Sequence, residues 1–503
     1  MSVAVLLIPL VGAALVWLLR GRAAAATAVA ATIATFLVAL FLPGAASIDL
    51  PWLPSLGIGF RLDPSGASSV LVLAAALTMI PTVLTAGSHV GRGAPTFLAL
   101  LLVMQASLNG LFLAADAVLM YVFWEATLIP SLLLLGLFGR DHRRRAVTKY
   151  LIYAIAGSFV MLASVVALRP VSGAASYAFA ELVPATQALS VVVQGWLFAG
   201  FTLAFAVKLP LFPLHSWLID FHRENHPSGA ADVAGTLYKV GGFGFFAWAI
   251  PLLPQGAEAF QPWLLTLAAV TALWGALAAT QQKDLKSVLA YASLSHMGIV
   301  GVGVFSLTPA GLNGAMLLLA AQMLSTGGMF LIAGMLYRRR HDYALDAYGG
   351  LARSAPALAG VTLLVLFAFI GVPGLSNFPG EFMALLGATS ATPLLGGLAT
   401  LAVIAAGVYG VNVYQRLFQG RSGERTADLR GAEVAVLAPI VAGILWLGLT
   451  PAPQLERIET ASQVALAYQL QAERPNGPDG AELEAANPPA VTAGEPLAEG
   501  GER

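Results

Sequence analysis

The chain has 503 residues, 58% hydrophobic and only 10% charged, with a mean hydropathy of +0.79. Soluble domains carry charge on about 25% of their residues, so this composition excludes a soluble globular protein and predicts an all-α membrane protein. The formal net charge of zero argues against nucleic acid as a partner, and the absence of cysteine excludes disulfides, thiolate-held iron–sulfur clusters and thioether-attached haem.

Apolar stretches of about 20 residues, each able to cross a hydrocarbon core of about 30 Å as a helix, recur along most of the chain. Fourteen spans are predicted, numbered in chain order, at residues 3–19, 24–43, 66–87, 95–115, 117–139, 146–168, 188–214, 228–252, 262–280, 285–306, 309–337, 356–390, 393–417 and 432–450. Together they predict one polytopic domain over residues 1–450. The first span is followed, not preceded, by basic residues, which indicates a retained span and not a signal peptide.

Basic residues are distributed unevenly over the loops between these spans. Loops that follow odd-numbered spans, together with the adjoining helix ends, hold 19 of the 26 Lys and Arg residues, Lys286 among them. Loops that follow even-numbered spans hold only Arg61 and Arg169. Because basic loops stay in the cytoplasm, both termini are predicted on the outer, periplasmic face of a bacterial plasma membrane. Asp116, close to the start of span 5, is expected to be an interfacial helix cap.

The region after Pro451 differs in composition from the spans. Residues 454–473 are expected to form a short amphipathic surface helix. From Arg474 onward the chain is rich in Gly, Pro, Ala and acidic residues. It has too little apolar surface to offset its ordering entropy, so residues 474–503 are expected to be disordered.

Two spans are interrupted by proline beside an ionisable residue. Pro210 and Pro213 follow Lys208 in span 7, and Pro379 precedes Glu381 in span 12. Proline removes a backbone donor and clashes with the preceding turn, and a broken helix persists in a membrane only where protein or water surrounds it. Two such breaks about 165 residues apart favour an internal structural repeat with ion sites at the breaks. Ordinary proline kinks in a packed bundle are the alternative.

Ionisable side chains inside the spans are the strongest functional candidates, since each costs at least about 2.5–3.5 kcal/mol at mid-membrane. They are Glu125 in span 5, Lys208 in span 7, Lys239 in span 8, His296 in span 10 and Glu381 in span 12. The chain contains 21 arginines but only five lysines. A desolvated lysine is able to release its proton whereas a guanidinium is not, so lysines at membrane depth favour proton transfer.

Each candidate also has a structural alternative. The alternative for Glu125 is a packing role with a hydrogen bond to a neighbouring Ser or Thr. For Lys239 it is snorkelling to the interface, and for His296 a structural hydrogen bond. His215 follows the first break, and His222 is predicted to lie in a polar loop. The spacing of the His and carboxylate residues predicts no metal site, and no glycine motif predicts a nucleotide site.

Several stretches closely resemble one known family over roughly residues 1–450. They are Lys208-Leu-Pro-Leu-Phe-Pro-Leu-His215-Ser-Trp-Leu, His222-Arg-Glu-Asn-His226-Pro-Ser-Gly and Asp284-Leu-Lys286-Ser-Val-Leu-Ala-Tyr-Ala-Ser-Leu-Ser-His296-Met-Gly298. The family is that of the antiporter-like subunits of proton-pumping NADH–quinone oxidoreductase, respiratory complex I. The resemblance implies a fourteen-helix core with two inverted five-helix repeats, here about residues 95–252 and 262–417, whose seventh and twelfth helices are broken.

The resemblance also implies a role for each buried ionisable residue. Glu125 is expected to pair with Lys208, Lys239 to be the central relay, His296 to follow it, and Glu381 to end the path. Glutamate at this last position is typical of the M-type (chain 4) subunit, whereas its two siblings usually carry lysine there.

Three further positions are possible accessories to this relay. His215 and His222 belong to the shared motifs. Gln322 stands where many relatives have a histidine, and because glutamine does not titrate, a relay at that position would need water.

The function implied is proton translocation coupled to electron transfer in partner subunits, as part of the enzyme NADH:quinone oxidoreductase. FMN, iron–sulfur clusters and quinone would belong to the partners, so no cofactor, metal or redox centre is expected in this chain. The expected partners are other membrane subunits of complex I, above all the two sibling antiporter-like subunits, within a lipid bilayer. A subunit of a multi-subunit cation/proton antiporter and a structural membrane scaffold are the alternatives.

Overall fold

The computed structural model describes residues 1–234, 239–420 and 426–472, and within these ranges the chain is almost entirely helical. The α-helices in chain order are α1 (Ala4–Leu18), α2 (Gly21–Ala39), α3 (Gly66–His89), α4 (Ala94–Leu113), α5 (Ala117–Phe138), α6 (Arg143–Ser172), α7 (Phe179–Gln187), α8 (Val191–Lys208), α9 (Ser216–Glu224), α10 (Ala230–Ala234), α11 (Lys239–Gly244), α12 (Ile250–Leu252), α13 (Pro254–Thr280), α14 (Leu285–Phe305), α15 (Pro309–Arg340), α16 (Leu351–Ser354), α17 (Pro356–Phe369), α18 (Asn377–Ala391), α19 (Pro393–Phe418), α20 (Gly431–Leu449) and α21 (Ala452–Ala472). A π-helical turn, Phe245–Ala249, joins α11 to α12. The strands β1 (Ile48–Leu53) and β2 (Ile58–Leu62) form an antiparallel hairpin that the sequence did not predict.

Within the described ranges, eleven helices are long and apolar enough to cross a membrane. Three shorter apolar helical segments, at Ala4–Leu18, Val240–Leu252 and Pro356–Phe369, coincide with predicted spans 1, 8 and 12. The prediction of an all-α membrane protein is therefore confirmed. The count of fourteen crossings and the inverted repeats stay predictions, because length and hydropathy alone establish eleven helices.

Loops that follow odd-numbered spans contact one another at one end of the bundle. The backbone N–H of Arg140 donates to the carbonyl of Glu224 at 2.7 Å, and the hydroxyl of Tyr343 donates to the carbonyl of Pro227 at 2.9 Å. Asp284 and Ala344 form an isolated antiparallel bridge. We call this end, formed by loops 139–142, 225–229, 281–284 and 341–350, the basic face.

The hairpin β1–β2 lies at the opposite end, which we call the hairpin face. Asp116 caps α5 by accepting hydrogen bonds from the N–H groups of Val118 and Leu119, which confirms the predicted helix cap. The same buried carboxylate accepts from the N–H of Gly59 at 3.0 Å and pairs with Arg61 at 2.7 Å. The Asp116 carboxylate therefore joins the hairpin to the start of α5. It also neutralises Arg61, one of the two basic residues in the loops that follow even-numbered spans.

Helix α21 covers part of the hairpin face, at the position where the sequence predicted an amphipathic helix. Its Ile458, Ser462 and Leu466 side chains are buried, and the helix packs against α3 and α15. The Ser462 hydroxyl donates to Oδ1 of Asn313 on α15. The tail after residue 472, predicted to be disordered, lies outside the described residues.

The two predicted breaks are present, and both are bridged in the same way. In the first, between α8 and α9, the indole N–H of Trp217 donates to the carbonyl of Val207 at 3.0 Å. In the second, between α17 and α18, the side-chain amide of Asn377 donates to the carbonyl of Phe369 at 3.1 Å. Each second half-helix thus satisfies a carbonyl that the first leaves unpaired, which is what a broken helix within a membrane requires.

Candidate functional site

Lys208 is the last residue of α8, at the first break. Its side chain is only 2% exposed, and its Nζ donates to the hydroxyl of Tyr150 on α6 at 2.9 Å. The same nitrogen lies 5.6 Å from the ring centroid of Trp124 and 5.3 Å from that of Tyr150. A helix C-terminus carries partial negative charge and aromatic faces attract cations, so this site accommodates an ammonium group without a carboxylate in contact.

Glu125 lies on α5 and is partly exposed at the surface of the chain. It interacts electrostatically with Lys208 and lies beside Ser158, but no oxygen of this carboxylate comes within 4.0 Å of the Lys208 nitrogen in the described structure. The two charges therefore interact through space without a contact, and the hydrogen-bond partner of Nζ in the described structure is the Tyr150 hydroxyl. The pairing of Glu125 with Lys208 stays a prediction. Two opposite charges about 4 Å apart attract each other by roughly 4 kcal/mol at an effective dielectric near 20, and the attraction weakens with distance. The attraction between Glu125 and Lys208 is therefore smaller than this value.

His296 and Glu381 meet deep inside the bundle. Nδ1 of His296, on α14, lies 3.0 Å from Oε1 of Glu381, on α18, and the two side chains are 1% and 4% exposed. The other ring nitrogen of His296 lies 3.3 Å from the hydroxyl of Tyr409 on α19, and Phe369 packs edge-on against the imidazole. Two residues that the resemblance placed in succession are thus within proton-transfer distance of one another.

Glycines allow the Glu381 carboxylate to reach this position. Gly371, at the second break, has φ +76°, and a Cβ built there would lie 2.0 Å from Oε2 of Glu381. On α18 itself, a Cβ at Gly380 would lie 2.6 Å from the backbone nitrogen of Leu318 on α15. The Glu381 carboxylate therefore packs directly against the backbone of Gly371. Gly380 in turn allows α18 to pack closely on α15.

A second buried cluster lies near the basic face. The Asp232 carboxylate, on α10, is 3.0 Å from Nδ1 of His222 and 2.8 Å from Nζ of Lys286. All three side chains are at most 1% exposed. The Lys286 ammonium also donates to the carbonyl of Asn225 at 3.0 Å. These contacts give the buried carboxylate two partners of potentially opposite charge, as a buried ion requires.

Tyr343 closes this cluster toward the basic face. Its ring centroid lies 5.5 Å from Nζ of Lys286 and 5.4 Å from Cζ of Arg140, so one ring contacts two cations. Burial raises the pKa of the Tyr343 hydroxyl, which lies outside the membrane-spanning segments. The hydroxyl therefore stays protonated and continues to donate to the Pro227 carbonyl.

Two members of this cluster lie in surroundings that differ from those the sequence predicts. His222 was predicted in a polar loop, but α9 continues to Glu224 and buries His222 among packed helices. Lys286 was counted among the loop charges, although its side chain is 1% exposed in the first turn of α14. The signal that would have found the cluster is the opposite charge of Asp232 and Lys286 near the basic ends of spans 8 and 10.

Of the remaining predicted residues, His215 and Gln322 are not brought into either cluster. His215 is partly exposed at the first break, with its ring stacked on Phe212 at a centroid distance of 5.5 Å. Gln322 is fully buried on α15 and accepts a hydrogen bond from the Thr326 hydroxyl. Lys239 begins α11, but its side chain lies outside the part of the chain that the structure describes.

Residues 114–406 match the transmembrane family described as NADH:quinone oxidoreductase/Mrp antiporter. The chain is 46% identical over 423 residues to NADH-quinone oxidoreductase subunit 13 of Thermus thermophilus, an alignment that covers 83% of this chain and 89% of that relative. It is 34% identical over 446 residues to NADH-quinone oxidoreductase subunit M of Rhodobacter capsulatus, covering 84% and 86% of the two chains.

The fold is also similar to that of chains in two solved membrane complexes. A chain of respiratory complex I from Thermus thermophilus with bound NADH superposes with a TM-score of 0.88 at 43% identity, over 92% of this chain and 100% of that one. A chain of the Mrp complex from Dietzia sp. superposes with a TM-score of 0.82 at 24% identity, over 92% and 52% of the two chains. The second likeness is one of fold alone.

Proposed function

The chain belongs to the NADH:quinone oxidoreductase/Mrp antiporter family, as an antiporter-like membrane subunit of NADH–quinone oxidoreductase, and on this premise we propose that it carries protons through a relay of its own side chains. The proposed relay is Glu125, Lys208, Lys239, His296 and Glu381. The observation that carries the proposal is the buried contact between His296 and Glu381 at the second break. A histidine changes charge near neutral pH, and a carboxylate 3.0 Å away is placed to exchange a proton with it.

Lys208 would act as the switch at the first break. Its nitrogen contacts a hydroxyl and two rings, so the field of Glu125 acts on it without a direct contact. Movement of Glu125 toward Lys208 favours the ammonium form, and withdrawal favours the neutral amine. A change in the Glu125–Lys208 distance would therefore decide when the proton leaves Lys208 for Lys239.

We further propose that the Asp232, His222 and Lys286 cluster links the basic face to this relay. Lys286 and His296 lie on the same helix, ten residues apart, which corresponds to about 15 Å along α14. That distance is too long for a direct transfer, so water would connect the two clusters. Gln322 has a buried amide nitrogen with no hydrogen-bond partner among the described residues, which suits an ordered water.

The surroundings of Glu125 indicate where a partner subunit binds. On α5 the carboxylate lies in a stripe with Val122, Ile129 and Leu133, which are 39%, 62% and 41% exposed. A carboxylate facing lipid at this depth is costly, so we propose that another membrane subunit, a sibling antiporter-like subunit, covers the stripe. A photo-cross-linker at Ile129 in the intact complex should capture that subunit. Adducts with lipid alone would contradict the proposal.

The remaining assignments follow from this role. We propose that flavin, iron–sulfur clusters and quinone are held by partner subunits and that this chain holds no cofactor. The basic face is proposed to lie in the cytoplasm of a bacterial cell, with both termini on the outer side.

The decisive experiment uses inverted membrane vesicles that contain the whole complex. NADH should acidify the vesicle lumen, and Lys208→Ala or Glu381→Gln should reduce this signal while NADH oxidation by an artificial acceptor, which reports complex content, stays unchanged. Sodium-dependent proton exchange without any electron donor would instead indicate the cation/proton antiporter. Normal pumping by both variants at equal complex content would indicate a scaffold.

A further inference from the structure

A groove runs between α2 and α3 from the basic face toward the middle of the bundle. Its upper part is a cavity of about 850 Å³ at the loop ends, lined by Arg20, Arg22, Gly91 and Pro95 among others. Its lower part is an apolar cavity of about 490 Å³ lined by side chains such as Val29, Ile33 and Val83. Both cavities share Ala25 and Gly87, so they form one continuous groove.

Small residues create the groove. A Cβ at Gly87 of α3 would lie 3.3 Å from Cβ of Ala25 on α2, so the two helices approach closely along its floor. Ala26 and Ala30 on α2 are exposed and leave the groove open to the outside of the chain. Larger side chains at these positions would fill the space.

The charge at the open end is positive and unbalanced. Arg20 and Arg22 are exposed and make no ion pair within the described residues. No Asp or Glu occurs at residues 1–48 or 64–115, so the segments that form the groove contain no carboxylate. Helix α2 also begins here and has no side-chain cap, so the N–H groups of its first turn add to the positive potential.

The length of the groove matches half of a membrane. Eleven residues separate Arg22 from Ile33, which is about 16 Å along a helix. Half of a hydrocarbon core of about 30 Å is about 15 Å. An apolar groove one leaflet deep that ends in two arginines matches the length of a phospholipid acyl chain and is complementary in charge to an anionic headgroup.

We propose that this groove is a binding site for one anionic phospholipid of the leaflet at the basic face. The phosphate would be bound by Arg20 and Arg22, and an acyl chain would lie between α2 and α3 against Val29, Ile33 and Val83. Because neither the groove nor its arginines belong to the proton relay, this site is independent of the proposed function. Occupancy of the groove would then depend on the fraction of anionic phospholipid in the membrane.

The test is titration of the delipidated, intact complex with phosphatidylglycerol or phosphatidylcholine, followed by native mass spectrometry. We expect Arg20→Gln with Arg22→Gln to weaken phosphatidylglycerol binding at least about tenfold, since two cations that attract the anionic headgroup are lost. Arg144→Gln with Arg145→Gln, which removes two exposed arginines of the same face, is the matched control and should bind as the wild type does.

A third variant tests the contribution of the apolar part of the groove separately from that of the two arginines. Ala26→Phe fills the apolar part, leaves both arginines in place and should also reduce lipid binding. Equal binding by the Arg20/Arg22 variant and the control, or equal affinity for the two lipids, would overturn the proposal. So would a photo-cross-link from Ala30 to another subunit, because a protein and not a lipid would then occupy the groove.

Discussion

Nδ1 of His296 lies 3.0 Å from Oε1 of Glu381 although the two residues are 85 positions apart in the chain. The contact joins an unbroken helix to the second half of a broken one, and the hydroxyl of Tyr409 holds the other side of the imidazole. A change in either helix at the break would therefore change the distance between these two side chains, which a proton must cross in the proposed relay.

The first prediction concerns Gly371. A Cβ at this position would collide with the Glu381 carboxylate at 2.0 Å, so Gly371→Ala should displace the carboxylate from His296 and reduce proton pumping at least about tenfold. Gly374→Ala is the control, because Gly374 also has positive φ, +87°, but nothing lies within 4 Å of its Cβ position. The control should lose only about 1–2 kcal/mol of local stability. Equal loss of pumping in both variants would show that backbone strain, not the contact with Glu381, is responsible.

The second prediction separates proton transfer from charge balance at Lys208. Lys208→Arg keeps a cation beside Tyr150 and Trp124 but holds its proton at any accessible pH. If Lys208 carries the proton, pumping in NADH-driven vesicles should be severely reduced in Lys208→Arg as in Lys208→Ala, with assembly preserved. Near-normal pumping by the arginine variant would remove Lys208 from the relay.

The third prediction tests the cluster at the basic face. Asp232→Asn leaves the buried Lys286 ammonium without its carboxylate, which should destabilise the subunit by about 3–5 kcal/mol and reduce the amount of assembled complex. Adding Lys286→Met removes the unpaired charge, so the double variant should recover assembly, measured by native electrophoresis. Pumping per assembled complex should stay low if the cluster conducts protons. Recovery of pumping as well would assign the cluster a structural role alone.

The fourth prediction concerns orientation and uses the absence of cysteine from the chain. Single cysteines are introduced at Thr460 on α21, at the hairpin face, and at Arg144 on α6, at the basic face; both positions are exposed. A maleimide that does not cross membranes should label Thr460→Cys in intact cells, and Arg144→Cys only after permeabilisation. The reverse pattern would invert the proposed orientation.

The sequence determined the class of the protein, the family, the positions of both breaks and the cap at Asp116. These features depend on local patterns, namely hydropathy over about 20 residues, proline within an apolar run, an aspartate directly before a span and motifs shared with one family. The residues of the proposed relay also stand out in the sequence, because each is an ionisable side chain among apolar neighbours at membrane depth, and their roles stay predictions.

Only the tertiary structure decided which of those side chains meet. It placed Tyr150, and not Glu125, at the Lys208 nitrogen, and it joined His222 to Asp232 inside the bundle. Contacts between helices depend on how each helix is rotated and how closely it packs, which is set by small residues on both surfaces at once, as at Gly380 against α15. A linear pattern gives the position of a residue along its own helix, but the neighbour it faces is fixed by the packing of the whole bundle.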